Sequence, residues 1–64
     1  MIELSQEEKI TIKNRQLKEY KVNIYVLSLQ KIGLEAIGDY EGMNLLDERI
    51  NALKKAYVAV EGAD

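Results

Sequence analysis

The clearest pattern of hydrophobic and polar positions lies between residues 39 and 61. Apolar side chains recur there at spacings of three and four, as they do along one face of an α-helix, with mostly polar or small residues between them. The members of this apolar stripe are Met43, Leu46, Ile50, Leu53, Tyr57 and Val60. We therefore expect an amphipathic helix over residues 40–61.

A longer helix is predicted for the first half of the chain. Ser5 and Glu8 have the spacing of a capping box, in which each side chain bonds the backbone N–H of the other residue at a helix start. The chain contains no proline, so nothing forces this helix to stop before residue 37. Gly33 weakens its interior, because glycine costs about 1 kcal/mol relative to alanine there, and we expect it to be a packing position or a bend.

Gly38 and Asp39 are predicted to separate the two helices. Glycine readily takes the left-handed backbone conformation that ends a helix, and aspartate caps the helix that follows. The predicted elements are a helix over residues 6–37, a turn at 38–39 and a helix over residues 40–61. The alternative is a turn that extends to residue 43, with Gly42 in the turn and Asn44 as the cap. Either boundary gives an all-α fold, in which residues 1–64 form a single domain, an antiparallel two-helix hairpin with a long first helix.

The first helix carries two apolar stripes. Stripe A consists of Ile10, Leu17, Tyr20, Ile24, Leu27 and Leu34, with Lys13 and Lys31 in the same heptad register. Stripe B consists of Val22, Tyr25, Leu29, Ile32 and Ala36. At about 100° per residue the two stripes lie roughly 160° apart on the helix, so the second helix cannot cover both.

Stripe B is expected to face the second helix, because no charged residue interrupts it and because it fits the second helix from end to end. In a hairpin that turns at 38–39, paired positions have numbers that sum to about 79, which brings Leu29 level with Ile50, and the first ten or so residues project past the second helix. Stripe A is then left for a partner, and its lysines are expected either to align two hairpins or to reach a carboxylate or solvent. The predicted partner interface is Ile10, Lys13, Leu17, Tyr20, Ile24, Leu27, Lys31 and Leu34.

Chain length and composition favour association. A chain of 64 residues, 47% of them hydrophobic, buries only about 60% of the surface that its unfolded form exposes. It has neither cysteine nor histidine, so disulfides and the usual metal sites are not available as reinforcement, and we expect no metal or cofactor. Burial against a second copy or a larger protein assembly is the remaining route to stability. Two hairpins would form a four-helix bundle or a coiled-coil assembly.

Enzymatic chemistry is not expected. Without histidine or cysteine, general-base or nucleophilic catalysis lacks its commonest groups, and the glycines are too scattered to form a phosphate-binding loop. We therefore predict no catalytic residue and no small-molecule substrate. The start of the chain lacks the pattern of a signal peptide, and its apolar runs are far shorter than the roughly 20 residues of a membrane span, so a cytoplasmic protein, or one assembled in a host cytoplasm, is expected.

The leading functional hypothesis is a non-enzymatic helical protein–protein interaction module. An adaptor, an assembly factor, a regulatory subunit or a small structural component of a larger particle, viral or phage particles included, would fit this description. One alternative is a small dimeric nucleic-acid-binding regulator, although its basic side chains are spread around the helix and phosphate binding prefers a single basic face. These candidate contacts are Lys9, Lys13, Arg15, Lys18 and Lys21. The other alternative is an acidic inhibitor of a basic protein site, acting through Asp47, Glu48 and Glu61.

Overall fold

The computed structural model describes residues 3–63, which form two antiparallel α-helices. Helix α1 comprises Gln6–Ala36 and helix α2 comprises Tyr40–Glu61. The two helices pack against each other, and the described part of the chain contains no β-strand. The prediction of an all-α hairpin with a long first helix is confirmed. Helix α1 begins at the predicted residue and ends one residue earlier than predicted.

The start of α1 is held by a capping box. The Ser5 hydroxyl accepts a hydrogen bond from the Glu8 backbone N–H at 3.1 Å, and the Glu8 carboxylate accepts one from the Ser5 backbone N–H at 3.1 Å. The hydrogen bond from the Ser5 backbone, followed by that with its side chain, lowers the pKa of Glu8 below its ordinary value of 4.5. The stabilisation from this carboxylate is therefore complete above the ordinary pKa and is lost as the pH falls through the lowered one.

The end of α1 is closed by a Schellman motif around Gly38. This glycine has a φ of 73°, a left-handed conformation that side chains disfavour. Its N–H donates to the Glu35 carbonyl at 3.1 Å, and the N–H of Asp39 donates to the Leu34 carbonyl at 2.9 Å. Both hydrogen bonds satisfy carbonyls that the end of a helix otherwise leaves without partners.

Helix α2 starts directly after this turn. The Asp39 carboxylate accepts a hydrogen bond from the Gly42 N–H at 3.0 Å and so acts as the N-cap. The helix continues without a break through Gly42 and Asn44, so the alternative turn that ended later is wrong. The chain reverses within the short segment 37–39, which sets the register of the two helices.

Stripe A packs against α2, and the prediction that stripe B does so is wrong. The side chains of stripe B are between 49% and 64% exposed at Val22, Tyr25, Leu29 and Ile32, and Ala36 is exposed as well. The half-buried residues of α1 instead follow stripe A. They are Lys13, Leu17, Tyr20, Ile24, Leu27, Lys31 and Leu34, together with Ser28 beside them.

The half-buried apolar part of stripe A is as long as the apolar stripe of α2. The apolar stripe of α2 extends from position 43 to position 60. Positions 17–34 of stripe A match it in length, whereas stripe B, at positions 22–36, is shorter by most of a helical turn. Packing stripe A against α2 therefore covers the stripe of α2 from end to end, and packing stripe B would leave part of it exposed.

The contacts between the helices define the register of this packing. Lys31 contacts Asp47 and Lys13 contacts Ala63, which joins positions whose numbers sum to 78 and 76. This register places residues 17–34 beside the whole stripe of α2. The one buried side chain among residues 3–63, that of Ile50, then lies level with the middle of stripe A.

The two lysines of stripe A are compatible with this packing because each reaches a partner on the other side. Lys31 Nζ lies 2.7 Å from Asp47 Oδ1, and Lys13 Nζ donates to the carbonyl of Ala63. Their alkyl stems cover the apolar stripe while their ammonium groups leave it, as long basic side chains commonly do. The two lysines therefore connect the two helices of one hairpin. Except for Ile10, all residues of the predicted partner interface lie against α2.

We expect the substitution Gly42→Ala to destabilise the hairpin. A Cβ atom at this position would lie 2.7 Å from Asp39 Oδ2 and 2.9 Å from Leu34 Cδ1, so it would disturb both the cap and the helix contact. Overpacking and cap loss together cost about 2 kcal/mol, which outweighs the roughly 1 kcal/mol that alanine gains in helix propensity. A lower thermal midpoint by circular dichroism, at one fixed low protein concentration, is the expected result.

The matched control is Gly33→Ala, the same change in the interior of α1. A Cβ atom at Gly33 meets no described atom within 4 Å, so this variant keeps the propensity gain of about 1 kcal/mol. Its midpoint in the same measurement should rise. A midpoint for Gly42→Ala equal to that of Gly33→Ala would contradict the close approach at Gly42.

Candidate interaction surface

The outward face of α1, opposite α2, is the principal exposed apolar surface among the described residues. Stripe B forms its centre, and Val26, which is 42% exposed, widens it. No charged residue belongs to the stripe, which extends for about 21 Å along the helix at 1.5 Å per residue. The apolar surface that the sequence predicts for a partner therefore exists, but it is formed by stripe B and not by stripe A.

The hairpin exposes more surface than a compact chain of its mass. Its accessible surface is 5342 Å², whereas a folded monomer of 7.3 kDa exposes about 4,200 Å². Its radius of gyration is 15.7 Å, against about 11 Å for a compact domain of this length. The excess area, roughly 1,100 Å², exceeds the about 800 Å² that each partner buries in a standard protein interface. The hairpin is therefore extended, and it exposes more surface than a compact domain of the same length.

Charge is segregated along the 55 Å length of the hairpin. Residues 32–48, which include the turn, contain five acidic residues and no basic one. Residues 9–21 contain five basic residues and one acidic one, and they lie toward the other end. Among residues 3–63, one acidic side chain of this region forms an ion pair, that of Asp47 with Lys31. The acidic turn is otherwise open to a basic partner.

The basic side chains of residues 9–21 do not form one face. Lys13 bonds the carbonyl of Ala63, and Lys21 Nζ lies 5.6 Å from the centre of the Tyr57 ring, a cation–π geometry. Two of the five predicted nucleic-acid contacts are thus directed at the open end of α2. Lys9, Arg15 and Lys18 are exposed on different sides of α1. This arrangement is not the single basic surface that phosphate tracking prefers.

The acidic residues proposed for an inhibitor also fail to converge. Asp47 is paired with Lys31, and Glu48 is exposed beside it on the outer side of α2. Glu61 lies at the far end of the helix, about 20 Å away at 1.5 Å per residue. These three carboxylates do not form a common acidic patch.

A shallow concavity lies at the open end of the hairpin, where α1 extends past α2. Apolar side chains of both helices line it, and Lys9, Lys13 and the glutamines at 6 and 16 form its rim. Its apolar lining consists of Leu4, Ile10, Ile12, Val60 and Ala63. Of the predicted partner interface, Ile10 is therefore the member that is exposed, at 48%.

Potential metal ligands do not cluster among the described residues. No group of three or more histidine, cysteine, aspartate or glutamate side chains within residues 3–63 is placed to hold a metal ion. No buried side-chain nitrogen or oxygen in that range lacks a hydrogen-bond partner. In the same range, neither helix combines the length and apolar character needed to cross a membrane.

Comparison with known proteins adds no family to this description. The sequence matches no protein-family model, and no curated protein or solved structure is significantly similar to it. The fold and the distribution of apolar and charged side chains therefore carry the functional argument.

We expect the Lys31–Asp47 pair to contribute a small, salt-dependent part of the hairpin's stability. The two side chains are 35% and 44% exposed, and pairs of this kind are worth about 0.5 kcal/mol. Asp47→Asn should lower the free energy of unfolding by that amount in low salt, and the difference should vanish in about 1 M salt. Urea unfolding at both salt concentrations measures it.

The matched control is Glu48→Gln, which removes the same charge from the neighbouring residue. Glu48 forms no ion pair within residues 3–63, so its substitution should leave the unfolding free energy unchanged. Equal effects of the two substitutions would mean that the overall charge of the acidic region, and not the pair, determines the result.

Proposed function

We propose that this chain is a non-enzymatic helical protein–protein interaction module of the cytoplasm, which binds its partner through stripe B. The observation that carries the proposal is the exposed, uncharged face of α1 on a hairpin with one buried side chain among its described residues. Stripe B replaces stripe A as the binding surface, because stripe A lies against α2.

Energetics favour association over an independent existence. When two helices pack against each other along one face, the opposite face of each helix remains exposed to solvent. An isolated amphipathic helix is only marginally stable in water. Fully burying a large aliphatic or aromatic side chain contributes about 1.5–3 kcal/mol. The exposed face of α1 carries five such side chains, Val22, Tyr25, Val26, Leu29 and Ile32, so covering their exposed halves contributes roughly 5 kcal/mol. That amount equals the whole stability of many small domains, which is about 5–15 kcal/mol. Partner binding and folding are therefore expected to be coupled.

The role that fits such a module is to bring protein chains together. An adaptor, an assembly factor, a regulatory subunit and a small structural component of a larger particle all use a helical face of this kind. The uncharged stripe supplies the affinity for the partner, and the acidic and basic regions on either side of it supply orientation.

The purified chain should show folding that depends on association. At about 1 µM we expect reduced helicity and a broad thermal transition, and at about 100 µM, or with its partner, full helicity and a sharp transition, because binding adds the missing burial. Circular dichroism combined with light scattering measures helicity and mass together. A monomer that is fully helical, with a sharp midpoint independent of concentration, would contradict the proposal.

A pair of variants separates stripe B from exposed apolar residues in general. Ile32→Gln, within stripe B, should abolish the rise in helicity with concentration. Val58→Gln changes an equally exposed side chain of α2, 67% exposed against 62%, and should leave that rise intact. The same loss in both variants would mean that stripe B is not the binding surface.

A further inference from the structure

We propose that stripe B binds a second copy of this chain in an antiparallel arrangement, with Leu29 of each copy at the twofold axis. This inference rests on the proposed function and names its partner. The two copies would then bury α1 against α1, and each α2 would lie on the outside. Three features of the described residues support this arrangement: the shape of stripe B, the distribution of charge and the position of the stripe on α1.

The shape of stripe B is complementary to itself when it is reversed. Leu29 is the middle member of the stripe, and an antiparallel pairing centred on it brings Tyr25 level with Gly33 of the second copy and Val22 level with Ala36. The two large side chains of the stripe before Leu29 thus each meet a small residue, while Leu29 meets its own copy at the axis. Tyr25 is 64% exposed, and no described atom lies within 4 Å of a Cβ placed on Gly33. The tyrosine of one copy therefore has room over the glycine of the other.

This pairing also accounts for a glycine that the hairpin itself does not explain. Glycine in a helix interior is unfavourable, and Gly33 lies within the continuous helix α1 without permitting a close approach to α2. A partner helix that crosses at this position would require the absence of a side chain there. An interface in which the same patch meets itself must satisfy this complementarity on both sides of the axis at once.

Charge selects the antiparallel orientation over the parallel one. The antiparallel pairing places the exposed Lys18 of each copy level with the turn of the other, which carries Glu35, Asp39 and Glu41. A parallel pairing would place the acidic turns side by side and the two basic segments side by side. Like charges at such short range disfavour that arrangement, and unlike charges favour the reversed one.

The resulting dimer is a layer of four helices and not a square bundle. Stripe B lies opposite the side of α1 that contacts α2, so α1 has a neighbour on each of two opposite sides. Because Leu29 lies much nearer the turn than the start of α1, the two open ends point away from each other. At 1.5 Å per residue the dimer is about 75 Å long, against 55 Å for one hairpin. A parallel dimer would keep the length of the single hairpin.

The first test measures distance between spin labels. The chain contains no cysteine, so Gln16→Cys gives a single label on an exposed site outside stripe B. Residue 16 lies 13 positions from Leu29, and the two labels in an antiparallel dimer are therefore about 40 Å apart along the axis. We expect that distance by pulsed electron resonance, and a maximum dimension of about 75 Å by X-ray scattering.

A parallel dimer would give a different result in the same measurement. Its two α1 axes would lie side by side, about 10 Å apart, so labels closer than about 25 Å would overturn the antiparallel arrangement. A maximum dimension equal to that of the single hairpin would overturn it as well.

The second test uses Gly33→Ala, which the hairpin tolerates. The added methyl group would meet Tyr25 of the second copy, so the dissociation constant of the dimer should rise about tenfold by sedimentation, although the helix itself is strengthened. The matched control Val58→Ala, at an exposed position of α2, also raises helix propensity and should not raise the dissociation constant. An unchanged constant for Gly33→Ala would overturn the pairing of Tyr25 with Gly33.

The outcomes also separate this inference from the proposed function. A poorly folded monomer that does not dimerise even at about 100 µM would overturn self-association, but it would support a module that needs another protein. A well-folded monomer with a sharp, concentration-independent transition would overturn both. A dimer of the extended length, with the long label distance, supports both.

Discussion

The packing of stripe A on α2 is the contact on which the rest of the structure depends. Positions 17–34 of stripe A meet the apolar stripe of α2 from end to end, and the tight turn at Gly38 holds them in register. This contact directs Lys13 and Lys31 toward α2 and leaves stripe B on the opposite side of α1. The position of the exposed apolar face is therefore a consequence of how the hairpin closes.

A hairpin of two helices cannot enclose a core, and this limitation links its stability to its function. Ile50 is the single buried side chain among residues 3–63, because each helix has only one neighbour. A third helical element on the far side of α1 would bury the exposed side chains of stripe B in a packed layer. Exposed in the isolated chain, stripe B lowers the stability of the hairpin. Buried in an assembly, the same stripe would determine which surface it packs against.

Local features of the fold could be predicted from the sequence because they depend on short-range chemistry. The capping box at Ser5, the left-handed Gly38 and the cap at Asp39 involve residues within four positions of one another, and all three occur as expected. The choice between the two stripes depends on a contact across the hairpin. Lys31 interrupts stripe A in the sequence, but Asp47 lies opposite it in the fold, so an uninterrupted stripe is not a sufficient criterion. Stripe length does not decide the choice either, because the whole of stripe A, at positions 10–34, is longer than the stripe of α2 and stripe B is shorter.

Gly42 joins two parts of the hairpin that are usually independent. Its missing side chain leaves room both for the carboxylate that caps α2 and for Leu34 of α1. A larger residue at 42 would thus require a shorter one at 34 and a different cap at 39. Among sequences that keep this fold, substitutions at positions 34, 39 and 42 should accordingly occur together, and that covariation would mark the corner of the hairpin in an alignment.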